Sequence, residues 1–87
     1  MICIEIFVSP VCQRCAHTVQ LVQRTVEGLG SDAIRWRSVD VVEELDHAVG
    51  VGVLATPSIA IDGRLVFTSP PSEKTLRHVI DQLMESN

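Results

Sequence analysis

The chain has 87 residues, 46% of them apolar, and a formal net charge of −4 at pH 7. That length suits one packed domain spanning 1–87, and the longest apolar run falls far short of the ~18 residues a membrane span needs. Acids outnumber bases and Lys and Arg never cluster, so neither nucleic acid nor a membrane surface is an expected partner.

The opening "MICIEIFVSP" has no basic region ahead of its apolar residues and sets Glu5 among them, unlike a secretory signal; a soluble, cytoplasmic protein is expected. Within it, "ICIEIFV" reads as a largely buried strand that stops at Ser9 and Pro10. "CQRCAHTVQLVQRTVEGLG" follows, with Cys15, Val19, Val22 and Val26 at helical spacing and a stop at Gly28 and Gly30. "AIRWRSVD" alternates as a second strand, and Asp40 with Glu43 has the form of a cap for a short helix running to about Val49. The intervening helix permits parallel pairing of the first two strands.

"GVGVLATP" reads as a loop punctuated by Gly50, Gly52 and Pro57. "SIAIDGRLVF" is two β-prone runs around Asp62 and Gly63, the signal for a hairpin with a type I′ turn. After "TSPPS", Ser72 can cap a last helix whose Leu76, Val79, Ile80, Leu83 and Met84 form one apolar stripe. The expected order is βαβαββα.

Three cysteines make an odd count, and only Cys12 and Cys15 are close together. This is not the multi-bridge framework of a small secreted domain. A CxxC pair can grip a metal, staple a loop or exchange a disulfide. A tetrahedral structural zinc needs four ligands and only two are evident, so a metal-binding module would need a dimer or a histidine brought in by folding.

Disulfide exchange depends on ionisation of one thiol. If a helix begins near Cys12, its sulfur sits by unsatisfied N–H groups and the positive end of the helix dipole, which favour the thiolate. Arg14 adds a cationic field, weakened by solvent screening. Cys15 lies one turn deeper, at a separation compatible with a disulfide, as the resolving thiol. Cys12 would attack a substrate disulfide and Cys15 would release the product, with no bound cofactor.

With "CQRC" at the first strand-to-helix junction, "ATP" at 55–57 before the third strand, and the Asp-Gly hairpin, the chain resembles the thioredoxin and glutaredoxin superfamily, especially its small, minimal-fold members. The resemblance covers nearly the whole chain. It implies an α/β thioredoxin-like fold, a four-stranded mixed sheet flanked by three helices, and protein-disulfide oxidoreductase activity. It also implies a cis Pro57 lying against the CxxC, with the Thr56 backbone facing the substrate chain.

Disulfide-containing proteins are then the expected substrates and a reductase or low-molecular-weight thiol the electron donor, with the enzyme monomeric. An apolar rim of Ser9 to Val11 with Leu54 to Thr56 would suit extended substrates through backbone pairing. The chain departs from typical thioredoxins in having Val11 where an aromatic precedes the first cysteine, and Gln13 and Arg14 where Gly-Pro lies between the two. Ile6 replaces the buried Asp six residues before the first cysteine, so the resolving thiol must pass its proton to solvent, Glu5 or another group. "TSPPSEK" lacks the Gly-Gly of glutaredoxins, against specific glutathione binding.

The remaining candidates read as structural. Cys3 is expected to be a buried small hydrophobe, too far along an extended strand to bridge Cys12 at ~3.3 Å per residue. Trp36 is expected to pack, and His17, His47 and His78 to lie on the surface, with His17 the nearest of the three to the motif. A redox-inert domain that keeps only the fold is a third reading.

Overall fold

The computed structural model describes residues 1–85. β1 (Ile2–Val8), α1 (Cys15–Leu29), β2 (Ile34–Asp40), α2 (Leu45–Val51), β3 (Ser58–Ile61), β4 (Arg64–Phe67) and α3 (Glu73–Glu85) follow one another in the expected order. The strands form one sheet in the order β2-β1-β3-β4. β1 and β2 run parallel, joined across α1, whereas β3 is antiparallel to both β1 and β4. The expected α/β fold is therefore observed: a four-stranded mixed sheet with three helices.

Alternation along β1 divides the molecule into two unequal layers. Ile2, Ile4 and Ile6 point to one face and join Val22 of α1, Ile59 and Ile61 of β3, and Leu76 and Ile80 of α3 in the larger core. Trp36 and Phe67 pack against its margin. Phe7 points the other way and meets Val39, Ala48 and Ala60 beneath α2.

α2 has seven residues and at 1.5 Å per residue spans only about 10 Å. A seven-residue strand spans roughly 23 Å, so α2 covers one end of this face and leaves the other bare. Cys3 falls on the bare end and is exposed. The expectation of a buried Cys3 is thereby corrected: an apolar run suggests burial, but burial on this face needs a helix that does not reach it.

Turn chemistry fixes the connections. Asp62 and Gly63 both take positive φ, 52° and 80°, as a type I′ turn demands, and Asp62 Oδ1 accepts the Cys3 N–H at 2.9 Å. Ser72 Oγ accepts the Thr75 N–H at 3.1 Å, capping α3. Leu76 and Ile80 of the expected stripe are buried, with Val79 and Leu83 at its edge.

Two helices differ from expectation in detail. In α1 the buried face carries Thr18, Leu21 and Thr25 alongside Cys15 and Val22, while Val19 and Val26 are only partly buried. The two threonines tolerate burial because Thr18 and Thr25 return their hydroxyls to the carbonyls of Arg14 and Leu21. Asp40 does accept local N–H groups, from Val42 at 2.8 Å and Glu43 at 3.4 Å, but these close a turn. The regular helix starts later, at Leu45, and runs to Val51. Among the described residues, no helix is long and apolar enough to cross a membrane.

Candidate active site

Antiparallel pairing sets Phe7 of β1 opposite Ser58 of β3, so the loop leaving β1 and the loop entering β3 meet at one end of the sheet. β4, antiparallel to β3, delivers its following loop to the same end. Ser9 Oγ and Thr56 Oγ1 hydrogen-bond at 3.1 Å and tie the first two loops together. The Thr56–Pro57 peptide is cis, as the resemblance implies.

Cys12 and Cys15 are joined in a disulfide, with Cα atoms 5.5 Å apart. The two sulfurs differ in access: Cys12 is partly exposed, whereas Cys15 is 5% exposed. Cys12 precedes the regular helix, which starts at Cys15 and not at Cys12 itself. Its N–H instead closes a turn on the Ser9 carbonyl at 3.2 Å, and the first helical bond runs from the Thr18 N–H to the Arg14 carbonyl.

The end of α1 facing this turn is electrostatically open. Arg14, in the N-cap position, makes no side-chain cap, and the first turn has no acidic residue. The leading N–H groups of the helix have no partner within it, and the dipole favours an anion at that end.

A cleft of about 420 Å³ brings together Cys12, Arg14, Thr56 and Pro57, with Thr68 and Ser69 of the loop after β4. Four of the six residues singled out from sequence therefore line one space, and Cys15 lies buried behind Cys12. Val11 is 89% exposed beside it. Thr68 and Ser69 carry no motif that would have marked them. Their signal is topological: the strand after a hairpin must end beside the point where the hairpin began.

Glu5 lies elsewhere, on the α2 side of the sheet. Its carboxylate accepts hydrogen bonds from Arg37 at 2.6 Å and lies 2.9 Å from His47 Nε2, and the His47 ring packs on Phe7 with centroids 5.7 Å apart. His47 lies on the surface as expected, but it is also a partner of Glu5, because α2 folds over the strand that holds Glu5. Burial works to raise the Glu5 carboxyl pKa, but the hydrogen bonds and charges of Arg37 and His47 more than offset it and hold it below the ordinary value. Among the described residues, no group of three or more His, Cys, Asp and Glu side chains is arranged to hold a metal ion.

Comparison with known proteins agrees with this geometry. A family model described as "Thioredoxin domain" matches residues 2–81. A probable thioredoxin of Methanothermobacter thermautotrophicus is 33% identical over 82 residues, covering 94% of this chain and 95% of that one. A thioredoxin of Methanocaldococcus jannaschii is 30% identical over 77 residues, 88% and 89% of the two chains. Among solved structures, a protein disulfide oxidoreductase from Aeropyrum pernix superposes with a TM-score of 0.84 at 30% identity, over 99% of this chain and 38% of that one. Thioredoxin 1 of Thermosipho africanus shares the fold, with a TM-score of 0.77 at 20% identity over 95% and 94% of the two chains. Taken with a CxxC disulfide just beyond the end of β1, these matches establish that the chain belongs to the thioredoxin domain family and is a thiol–disulfide oxidoreductase.

Proposed function

We propose that Cys12 is the attacking thiol and Cys15 the resolving thiol. The observation that carries this assignment is their unequal access: Cys12 opens into the cleft beside the uncapped end of α1, and Cys15 lies buried behind it. In the reduced protein the Cys12 thiolate attacks a substrate disulfide, R–S–S–R′. A Cys12–R mixed disulfide forms and R′S⁻ leaves, taking a proton from solvent. Cys15 then gives its proton to solvent and attacks the Cys12 sulfur, and RS⁻ departs, taking up a proton in turn. Two electrons pass from the dithiol to the substrate, which ends as two thiols, and the protein ends as the Cys12–Cys15 disulfide.

Thr56 and Pro57 form the opposite wall of the cleft. Outside the helices and strands, no backbone hydrogen bond among the described residues uses the Thr56 N–H or carbonyl. An extended substrate can therefore pair with them as an added strand, while Val11 offers it an apolar surface. Arg14 tunes Cys12 from the rim as a screened positive charge. The substrates are disulfide-bearing proteins, and a reductase or a low-molecular-weight thiol returns the electrons. The enzyme acts as a cytoplasmic monomer, in a reducing compartment that suits an unpaired Cys3.

Two substitutions test the assignment. With Cys3→Ser as the common background, which removes the exposed third thiol, Cys12→Ser is expected to abolish reduction of a model disulfide such as oxidised glutathione or Ellman's reagent. Cys15→Ser is expected to accumulate a mixed disulfide at Cys12, visible by intact-mass measurement. Full activity of Cys12→Ser, or absence of the adduct in Cys15→Ser, would reverse or remove the two roles.

A further inference from the structure

We propose that the groove between α2 and the loop before β3 receives a basic, apolar segment of the protein whose disulfide is reduced; this deepens the assignment above and rests on it. α2 turns Ala48 into the small core at 3% exposure but leaves Leu45 and Val49, one turn apart, 58% and 67% exposed. With Val41, Val53 and Leu54 they line a groove of about 230 Å³ that ends on Ala55 and Thr56. Leu54 is 98% exposed. Exposed apolar side chains gathered around one groove mark an interaction surface.

Thr56 lines both this groove and the cleft that holds Cys12. A polypeptide that places its disulfide at Cys12 and crosses Thr56 is thereby directed onto Leu45 and Val49. The two spaces form one track, with chemistry at one end and apolar contact at the other.

Charge selects the occupant. No Lys or Arg occurs from residue 38 to residue 63, whereas Asp40, Glu43, Glu44 and Asp46 all fall there. Asp40 is engaged by the turn it closes, and Glu44 lies 3.5 Å from Arg37. Among the described residues, Glu43 and Asp46 are in no ion pair. The segment that supplies Leu45 to the groove therefore carries, as chain neighbours of that residue, two uncompensated carboxylates, which attract Lys and Arg on a partner and repel an acidic one. A second copy of this chain would bring the same acidic α2 against itself, so self-association on this face is disfavoured.

The test uses pre-reduced protein carrying Cys3→Ser, so that the exposed third thiol does not contribute, freed of reductant, and three synthetic peptides. Each carries one cysteine as a mixed disulfide with thionitrobenzoate, flanked by Lys and Leu, by Glu and Leu, or by Lys and Ser. In single turnover the dithiol becomes the Cys12–Cys15 disulfide, and the peptide thiol and coloured thionitrobenzoate are released.

The Lys-Leu peptide is expected to react about tenfold faster than either other peptide at low salt, with added salt closing the gap to the Glu-Leu peptide. Glu43→Gln with Asp46→Asn should narrow the Lys/Glu difference, and Leu45→Ser with Val49→Ser the Leu/Ser difference. Neither pair should alter the rate with free 2,2′-dithiodipyridine, an uncharged disulfide too small to reach the groove. Equal rates for all three peptides on the unaltered protein, with Cys12→Ser inert, would overturn the groove and leave the catalytic assignment standing. A Cys12→Ser protein as fast as the parent would defeat that assignment and the groove with it. A dimer in sedimentation that dissociates on Leu45→Ser with Val49→Ser would assign the groove to a second copy and overturn the proposal.

Discussion

Cys3 and Glu5 sit two positions apart on β1 and point to the same side of the sheet, yet their surroundings differ because α2 covers only part of that side. Cys3 is exposed, so iodoacetamide is expected to modify one cysteine in the oxidised protein, with peptide mapping placing the label on Cys3. Protection of Cys3 from the reagent would contradict the bare end of the sheet. At Glu5 the carboxyl is held below its ordinary value by Arg37 and His47, against the cost of burial. A depressed carboxyl stabilises the fold above its unfolded value, 4.5, and the contribution is lost as pH falls through the lower folded value. Glu5→Gln should therefore cost about 1 kcal/mol at pH 7. The deficit should shrink steadily as urea titrations are repeated from pH 5 down to acid. A deficit independent of pH would mean that packing, not charge, is lost.

Two helices in this fold begin in opposite ways, and the difference has a functional side. α3 has one of its leading N–H groups, that of Thr75, met by Ser72 Oγ and an acid, Glu73, in its first turn, whereas α1 has neither a side-chain cap nor an acid there. Ser72→Ala is expected to destabilise the protein by about 1 kcal/mol in denaturant titration without changing thiol reactivity. Arg14→Asp should do the reverse. A carboxylate at the N-cap occupies N–H groups that otherwise face the Cys12 turn and replaces a positive charge with a negative one. Alkylation of reduced Cys12 at pH 7, followed by mass spectrometry to separate it from Cys3, is expected to slow roughly twofold to fivefold. An unchanged rate would show that the helix end contributes nothing to the thiolate.

For the molecule as a whole, the larger core decides whether the site exists, since strand order alone brings the three loops to one end of the sheet. Leu76 of α3 is fully buried against β1, β3 and α1 residues. Leu76→Ala should cost about 2–5 kcal/mol, a large share of the total stability, on the order of 5–10 kcal/mol, of a chain this size. Thermal unfolding of the oxidised protein measures it. The sheet also ends in two edges, β2 and β4, and Arg35, Arg37 and Arg64 lie on them, where charge opposes pairing with another strand.

The strands, the helices, the Asp-Gly turn, the Ser72 cap and the CxxC motif can all be read along the chain, because each depends on residues within a few positions of one another. Periodicity, φ preference and capping act over one or two turns of chain. The starts of α1 and α2, the exposure of Cys3, the Glu5–His47 pairing and the Thr68–Ser69 wall of the cleft cannot be read that way. The helix starts are set by competing turns closed on Ser9 and Asp40. The other features depend on contacts between distant segments: how far α2 reaches along β1, and which loops strand order delivers to one end. Local sequence thus dictates the parts of this protein and the chemistry they carry. Which of the two sulfurs lies deeper follows from their spacing, but which distant segments surround the pair is settled by the folded arrangement alone, because a cleft wall is a property of packing between segments and not of any one of them.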